Sequence, residues 1–485
     1  MAQSQDNLGP VKIPYPTEGV IRSAQLNDTV CPENSVQLAM NINFDCVGAW
    51  QTRPGAATLY TTRGGSITSF GTLNIQGGVK KLFSQVTTDI SVWTGSAWSS
   101  VRTATVSTKA RFSQWLNRIY MVNGTDALQV SSGGNFSAEA GFVPATTMPV
   151  GHFVQAGFDG RIWVGNKTTD ALYFSDIVQF TPPSTYSITY NTANYIQTLS
   201  SQDGESMTGL FRVPRALLVF KQNHIYRVYS ATNIDPYPAY NVGTYSQESI
   251  IQAKDGLYFH HSSGFYKFNY DGQPTEISKR VNDFVKAIPR SAYENVVGIY
   301  DGYDNVKWSV GSVTVEGVTY SNCQMRYTIS TQVWTIYDFA DNEITALITF
   351  DDGTNIYQVV GTSAGVVGQL DSGTDDFGSP IVYDFIDRWR SYTEIYAKTK
   401  VIMGIMASSE NGAGANLQYQ TQKDAVNKWQ SIGSLDENYV SLFPNMKVED
   451  FNIMRLRMNG TTKGTPIIFS GIELLSVQDE GFEKN

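Results

Sequence analysis

A turn built on Asn, Asp or Gly, then an apolar residue, then an aromatic, recurs along the middle of this chain, and no other feature limits the fold as much. It reads Asn117-Arg118-Ile119-Tyr120, Gly160-Arg161-Ile162-Trp163, Asn223-His224-Ile225-Tyr226 and Asp255-Gly256-Leu257-Tyr258. It returns in altered order as Asn305-Val306-Lys307-Trp308, and again as Asn355-Ile356-Tyr357. The aromatics at 120, 163, 226, 258, 308 and 357 are mostly about 32 to 50 residues apart, the period of four-stranded propeller blades. A weaker unit at Ile90-Ser91-Val92-Trp93 brings the count to about seven, and six or eight also fit the spacing. One four-stranded sheet cannot bury both faces alone. Packing sheets radially buries them, and closing the ring leaves only short edges.

Composition agrees. Charged residues are 16% of the 485, well under the usual quarter, while Tyr (27), Phe (24) and Gly (42) are plentiful. That mixture suits short strands and tight turns rather than helices. The net charge of −9, with no Lys/Arg run, argues against gripping phosphates. The polar start MAQSQDNLGP does not read as a signal peptide, and no run of about 18 apolar residues predicts a membrane span.

The expected fold is all-β: an irregular β-propeller of about seven blades over 66–371, with an N-terminal extended arm and a C-terminal β-sandwich. The arm, 1–65, carries Pro10, Pro14, Pro16 and Pro32 and few strand-length apolar runs. It is expected to pack on the propeller or on a neighbouring subunit, so that its loss affects assembly more than blade folding. The longest gap marks an insertion at about 175–206, polar and aromatic, expected to project. Its Tyr186, Tyr190 and Tyr195, with Tyr237 and Tyr240 of a second Tyr-rich connection, are candidate partner contacts. Capping of blade ends explains the same tyrosines equally well. Ile277, Val281, Phe284, Val285 and Ile288 follow helical spacing, with Pro289 as the stop, and predict a packing helix between blades. Several strand-like runs over 378–475 predict the sandwich, followed by a polar tail at 476–485.

No catalytic, cofactor-binding or metal-binding constellation emerges. Gly361-Thr362-Ser363-Ala364-Gly365 matches a nucleophile elbow, but a returning strand follows it and no His occurs after His261. The four His residues lack zinc spacing, and Cys31, Cys46 and Cys323 read as free thiols. Asp351-Asp352 and Asp375-Asp376 read as turn residues rather than a glycosidase pair.

Three pieces together resemble a known family. They are the arm with Asn41-Ile42-Asn43-Phe44, Gly48-Ala49-Trp50 and Arg53-Pro54-Gly55; the propeller with a helix starting near Glu276-Ile277-Ser278; and the sandwich with Trp429, Arg455-Leu456-Arg457 and Thr465-Pro466. The chain resembles the nozzle or tail-hub proteins of short-tailed bacteriophages, also called packaged-DNA stabilisation proteins. The resemblance implies a non-enzymatic virion protein and a homo-oligomeric ring, usually a hexamer, below portal and adaptor. It further implies a channel that retains genomic DNA, passes it without tight binding and opens for ejection. Two other readings are a propeller that binds or cleaves carbohydrate, through its many Tyr and Trp, and a general interaction scaffold.

Overall fold

The computed structural model describes residues 10–22, 32–44, 49–75, 77–78, 80–138, 150–181, 185–187, 190, 194–197, 204–235, 240–270, 272–391, 399–424, 428–436, 440–444, 448–462, 464–475 and 477–480. Consecutive antiparallel strands group into four-stranded sheets. The first blade holds Ile67–Asn74, Lys80–Val86, Asp89–Trp93 and Trp98–Thr103, and the second starts at Arg111–Trp115. The third starts at Phe153–Phe158, the fourth at Met207–Val213 and the fifth at Ile251–Ala253. Blade six runs Val297–Tyr300, Asn305–Val315, Val318–Thr328 and Val333–Asp338, and blade seven Ile344–Asp351, Ile356–Thr362 and Val367–Leu370.

Blade seven thus has only three strands from its own stretch of chain. The fourth is Ala56–Tyr60, from near the N-terminus, paired antiparallel with Val367 opposite Tyr60 and Leu370 opposite Ala56. The ring closes where the inner strand of blade seven packs on that of blade one. The described residues therefore form seven blades, all-β as expected, in a closed β-propeller.

The aromatic of the repeat holds each blade's interior. Tyr120, Trp163, Tyr226, Tyr258 and Trp308 are all buried, whereas Tyr357 is half-buried. In blades two, three, five, six and seven it sits on the second strand, counted from the centre. Blade four departs: Tyr226 lies on the third strand, Ile225–Ser230, because the Asn223-His224 turn joins strands two and three. In blade one, likewise, Ile90–Trp93 belongs to the third strand.

The first 60 residues differ from the expected arm. Beyond the blade strand, the described residues among them supply five short strands. Ser35–Met40 pairs in parallel with blade six at Ile336 and antiparallel with Val382–Asp387, so blade six and one sandwich layer form a single sheet. That layer continues through Met454–Thr461, Asn416–Thr421 and Gln430–Ser434. The facing layer places Trp50–Thr52 beside Ile468–Leu474, which is followed by Ile405–Glu410 and then Val440–Phe443. The Trp50 ring is wedged between Phe385 at 4.5 Å and Phe469 at 4.1 Å, one from each layer. A third sheet of Val448–Phe451, Thr399–Ile402 and Val477–Glu480 carries strand structure into the stretch read as a polar tail. The predicted helix is present but short: Asn282–Ala287 is α-helical, after a 3-10 turn Lys279–Val281, with Val281, Phe284, Val285 and Ile288 buried.

Between propeller and sandwich lies a buried ion pair. Arg53 meets Asp376 through two bonds, 2.8 and 2.5 Å, and both residues are buried. Arg53 Nε donates to Asn41 Oδ1 at 2.8 Å, and the guanidinium lies 4.1 Å from the Phe339 ring centroid. Asn41 takes the left-handed conformation (φ 57°), which Asn tolerates better than most residues, and its amide donates to the Val382 carbonyl at 2.6 Å. Gly55 follows because a Cβ there would stand 1.9 Å from the Asp375 carbonyl oxygen. Removing one member of a buried, hydrogen-bonded pair leaves an uncompensated charge and costs about 3–5 kcal/mol. Arg53→Met is therefore expected to lower unfolding stability in urea by about that much. Arg53→Met with Asp376→Leu should lose clearly less, because neither charge is then stranded; an equal loss would contradict a charge-based cost.

Candidate functional site

The tyrosines proposed as partner contacts separate in the structure. Tyr190 is buried in the core shared by blades two and three, packed with Tyr120, Val154 and Ile162, and burial pushes its phenol up to about 12. Tyr240 is also buried, in a bridge with Ile225, its ring edge-on to Phe268 at 4.8 Å. These two are core residues, not contacts on a free surface, because each side chain fills space between neighbouring strands. Tyr195 is 45% exposed and lies on Tyr195–Gln197, which is the outer strand of blade three. The backbone at Tyr186 belongs to a two-stranded hairpin of Gln179–Thr181 and Thr185–Ser187. Tyr237 lies outside the described residues. The insertion is accordingly narrower than 175–206, since its last part builds a blade.

The inner strands enclose a central channel of about 530 Å³. Its wall mixes apolar side chains, Phe70, Phe112 and Leu347 among them, with polar ones such as Ser69, Gln252 and Thr349. One charged group stands in it. Arg111, opening the inner strand of blade two, donates to Glu248 at 2.9 Å from Nε and 3.4 Å from Nη2. Its Nη1 donates to the His152 carbonyl at 3.1 Å, and its guanidinium lies 4.7 Å from the Phe153 ring centroid. Lys109 approaches the same carboxylate at 3.8 Å. Burial alone would raise the Glu248 carboxyl, but Arg111 and Lys109 outweigh it and hold it down to about 2. Glu248 sits on the turn Gln247–Ser249, where the Gln247 side chain also brackets Leu210, accepting from its N–H at 2.6 Å and donating to its carbonyl at 2.9 Å. The group ties blades two, three and four and the start of five across the channel. It contains no nucleophile aligned with a base, and its chemistry is that of a brace. Sequence reasoning did not single out Arg111 or Glu248, because their pairing spans 137 residues.

The motifs set aside in the sequence have structural roles. Gly361–Gly365 spans the turn between two strands of blade seven, and a Cβ on Gly365 (φ +82°) would stand 2.0 Å from the Arg63 carbonyl oxygen. Asp351 and Asp352 accept backbone N–H groups of their own turn, at 2.7–2.8 Å. Cys323 is a buried free thiol, and Cys31 and Cys46 lie outside the described residues. No group of three or more potential metal ligands occurs among the described residues. His260 is fully buried against Phe265 and Tyr293, at 5.0 and 5.3 Å, and neither ring nitrogen has a hydrogen-bond partner.

No family model and no curated protein sequence matches the chain. Among solved structures it is similar to YCF48 from Cyanidioschyzon merolae, at 11% identity and TM-score 0.40, over 66% of this chain and 98% of that one. It is also similar to BBS1N, solved in complex with ARL6DN, at 9% identity and TM-score 0.42, over 66% and 98% of the two chains. A second YCF48 structure, bound to D1 peptide, aligns at 12% identity and TM-score 0.40, over 67% and 99%. At such identities and TM-scores these similarities bear on neither activity nor partner.

Two outcomes are expected. Burial, with His261 beside it, pushes the His260 imidazole down to about 3. The unfolded chain then binds a proton that the folded one refuses, so stability is full above about pH 6.5 and falls between there and about pH 3, by at most about 1.4 kcal/mol per pH unit. Urea titrations across this range should show His260→Phe with a shallower pH slope than the unaltered protein; an unchanged slope would place the acid sensitivity elsewhere. Replacing 179–187 by a short Gly/Ser link should change the melting temperature by only a few degrees, whereas removing 190–197 as well should destabilise the protein strongly. Equal effects would mean that the hairpin, too, is core.

Proposed function

We propose that this chain is a non-enzymatic structural subunit of a short-tailed bacteriophage tail, a nozzle or hub that continues the DNA channel, retains packaged DNA and opens for ejection. The supporting observation is the position of the residues that carry the family resemblance. Trp50, Arg53 and Gly55 lie where propeller and sandwich meet, as an aromatic wedge, a buried ion pair and a close backbone approach. The sheet shared through Ser35–Met40 joins the same two parts into one block. A subunit that bears load in a ring, under the pressure of packaged DNA, needs that rigidity.

On this reading the protein acts in the virion tail, as a ring of copies (six in the family it resembles) bound to portal or adaptor. DNA passes without tight binding, which suits a net charge of −9. Negative-stain microscopy and analytical ultracentrifugation of the full chain, alone and with a portal–adaptor complex, are expected to reveal rings. Duplex DNA at about 0.15 M salt should bind only weakly. A chain that stays monomeric under both conditions, or that grips duplex DNA at micromolar concentration, would overturn the proposal.

A further inference from the structure

The connection 61–65 leaves the closing strand of blade seven and enters the inner strand of blade one. Beside it lies an open depression of about 680 Å³, lined by residues 61–64 of the connection and by side chains of blade one. Strand pairing builds one wall. Ser91 stands opposite Ser100 and Trp93 opposite Trp98, so alternation places Asp89, Ser91 and Trp93 on the same face as Trp98 and Ser100.

The polar half is preorganised. Ser91 donates to Asp89 Oδ2 at 2.6 Å, and Ser100 donates to Oδ1 at 2.5 Å. Arg63, buried, is held by Asp89 and by the Ser84 carbonyl at 3.1 Å. Having donated, each serine hydroxyl retains acceptor capacity, and the exposed Thr87 adds another hydroxyl at the rim. The aromatic half adjoins it. Tyr60 stacks on Trp93 at 4.4 Å, Trp93 meets Trp98 at 5.4 Å, and Trp98 is fixed by its indole N–H to the Thr61 carbonyl at 2.8 Å. Tyr60, Trp93 and Trp98 are only half-buried.

Hydroxyls, one carboxylate and a fixed indole in one open depression match a pyranose, which has polar edges and an apolar C–H face. Charge narrows the class. Arg63 is committed to Asp89, so the lining is neutral and keeps no cation for a phosphate, sulfate or carboxylate. We infer that this seam binds an uncharged saccharide. Its hydroxyls exchange hydrogen bonds with Asp89 and Ser100, and one ring face lies on Trp98. The inference does not depend on the tail reading, because all of its residues come from one copy of the chain.

The test is an array of neutral and anionic glycans probed with the full chain, followed by ligand-observed NMR titration of the best neutral oligosaccharide. Trp98→Ala is expected to weaken binding about tenfold, and Ser100→Ala several-fold. Lys109→Ala, in the central channel, should leave it unchanged. Ser100 is exposed, so its variant reports on the site even if the Trp98 variant fails to fold. No neutral glycan bound, a preference for anionic glycans, or affinity unaltered by Ser100→Ala would each overturn the inference.

Discussion

The architecture depends on the pairing of Ala56–Tyr60 with Val367–Leu370. A propeller gains its stability from blades that each cover a neighbour's face, and a ring with one incomplete blade leaves a long edge in water. Here the missing strand arrives from the far end of the sequence. A few residues earlier the chain carries Arg53, whose pairing with Asp376 sits inside the protein. Such a pair gives little net stability over an apolar substitute, but it is severe on misalignment, since a small displacement strands two charges. The strand supplies closure, and the ion pair fixes where the strand enters.

The same short stretch governs the sandwich. Ser35–Met40 bridges blade six to the sandwich, and the Trp50 ring fills the gap between the layers. The apolar core is correspondingly continuous, running from Tyr258, Trp308 and Trp334 of the propeller to Leu417, Met458 and Phe469 of the sandwich. Domains joined by a linker move against each other by default, whereas a shared sheet and shared core oppose that motion. This rigidity is the property on which the proposed load-bearing role rests.

What was legible in the sequence was local. The Asn117-Arg118 and Asp159-Gly160 turns announce hairpins, since Asn117, Asp159 and Gly160 all take positive φ, and the aromatic that follows marks the blade interior. The same chemistry serves any tight turn, so the repeat does not tell which strand it opens: Asn223-His224 leads into the third strand of its blade. Long-range pairings were illegible. Ala56-Ala57-Thr58-Leu59-Tyr60 is an unremarkable run until Val367–Leu370 lies beside it, and Arg53 finds its carboxylate 323 residues away. Tyr190 and Tyr240 read as loop tyrosines because their neighbours are polar, yet the pockets that bury them are made by strands distant in sequence. The depression of Arg63, Asp89 and Trp98 is nearer in sequence, all within 61–100, but the hairpin register that sets Trp98 and Ser100 beside Asp89 carries no motif.

Hydrogen exchange by mass spectrometry on the intact protein tests the central claim most directly, because protection reports which segments open only with the whole fold. If the N-terminal segment fastens the ring, backbone amides of Ala56–Tyr60 and Ser35–Met40 exchange as slowly as those of Ile356–Thr362 and Val333–Asp338. Exchange of Ala56–Tyr60 at the rate of an unprotected chain, with the blades still protected, would contradict it.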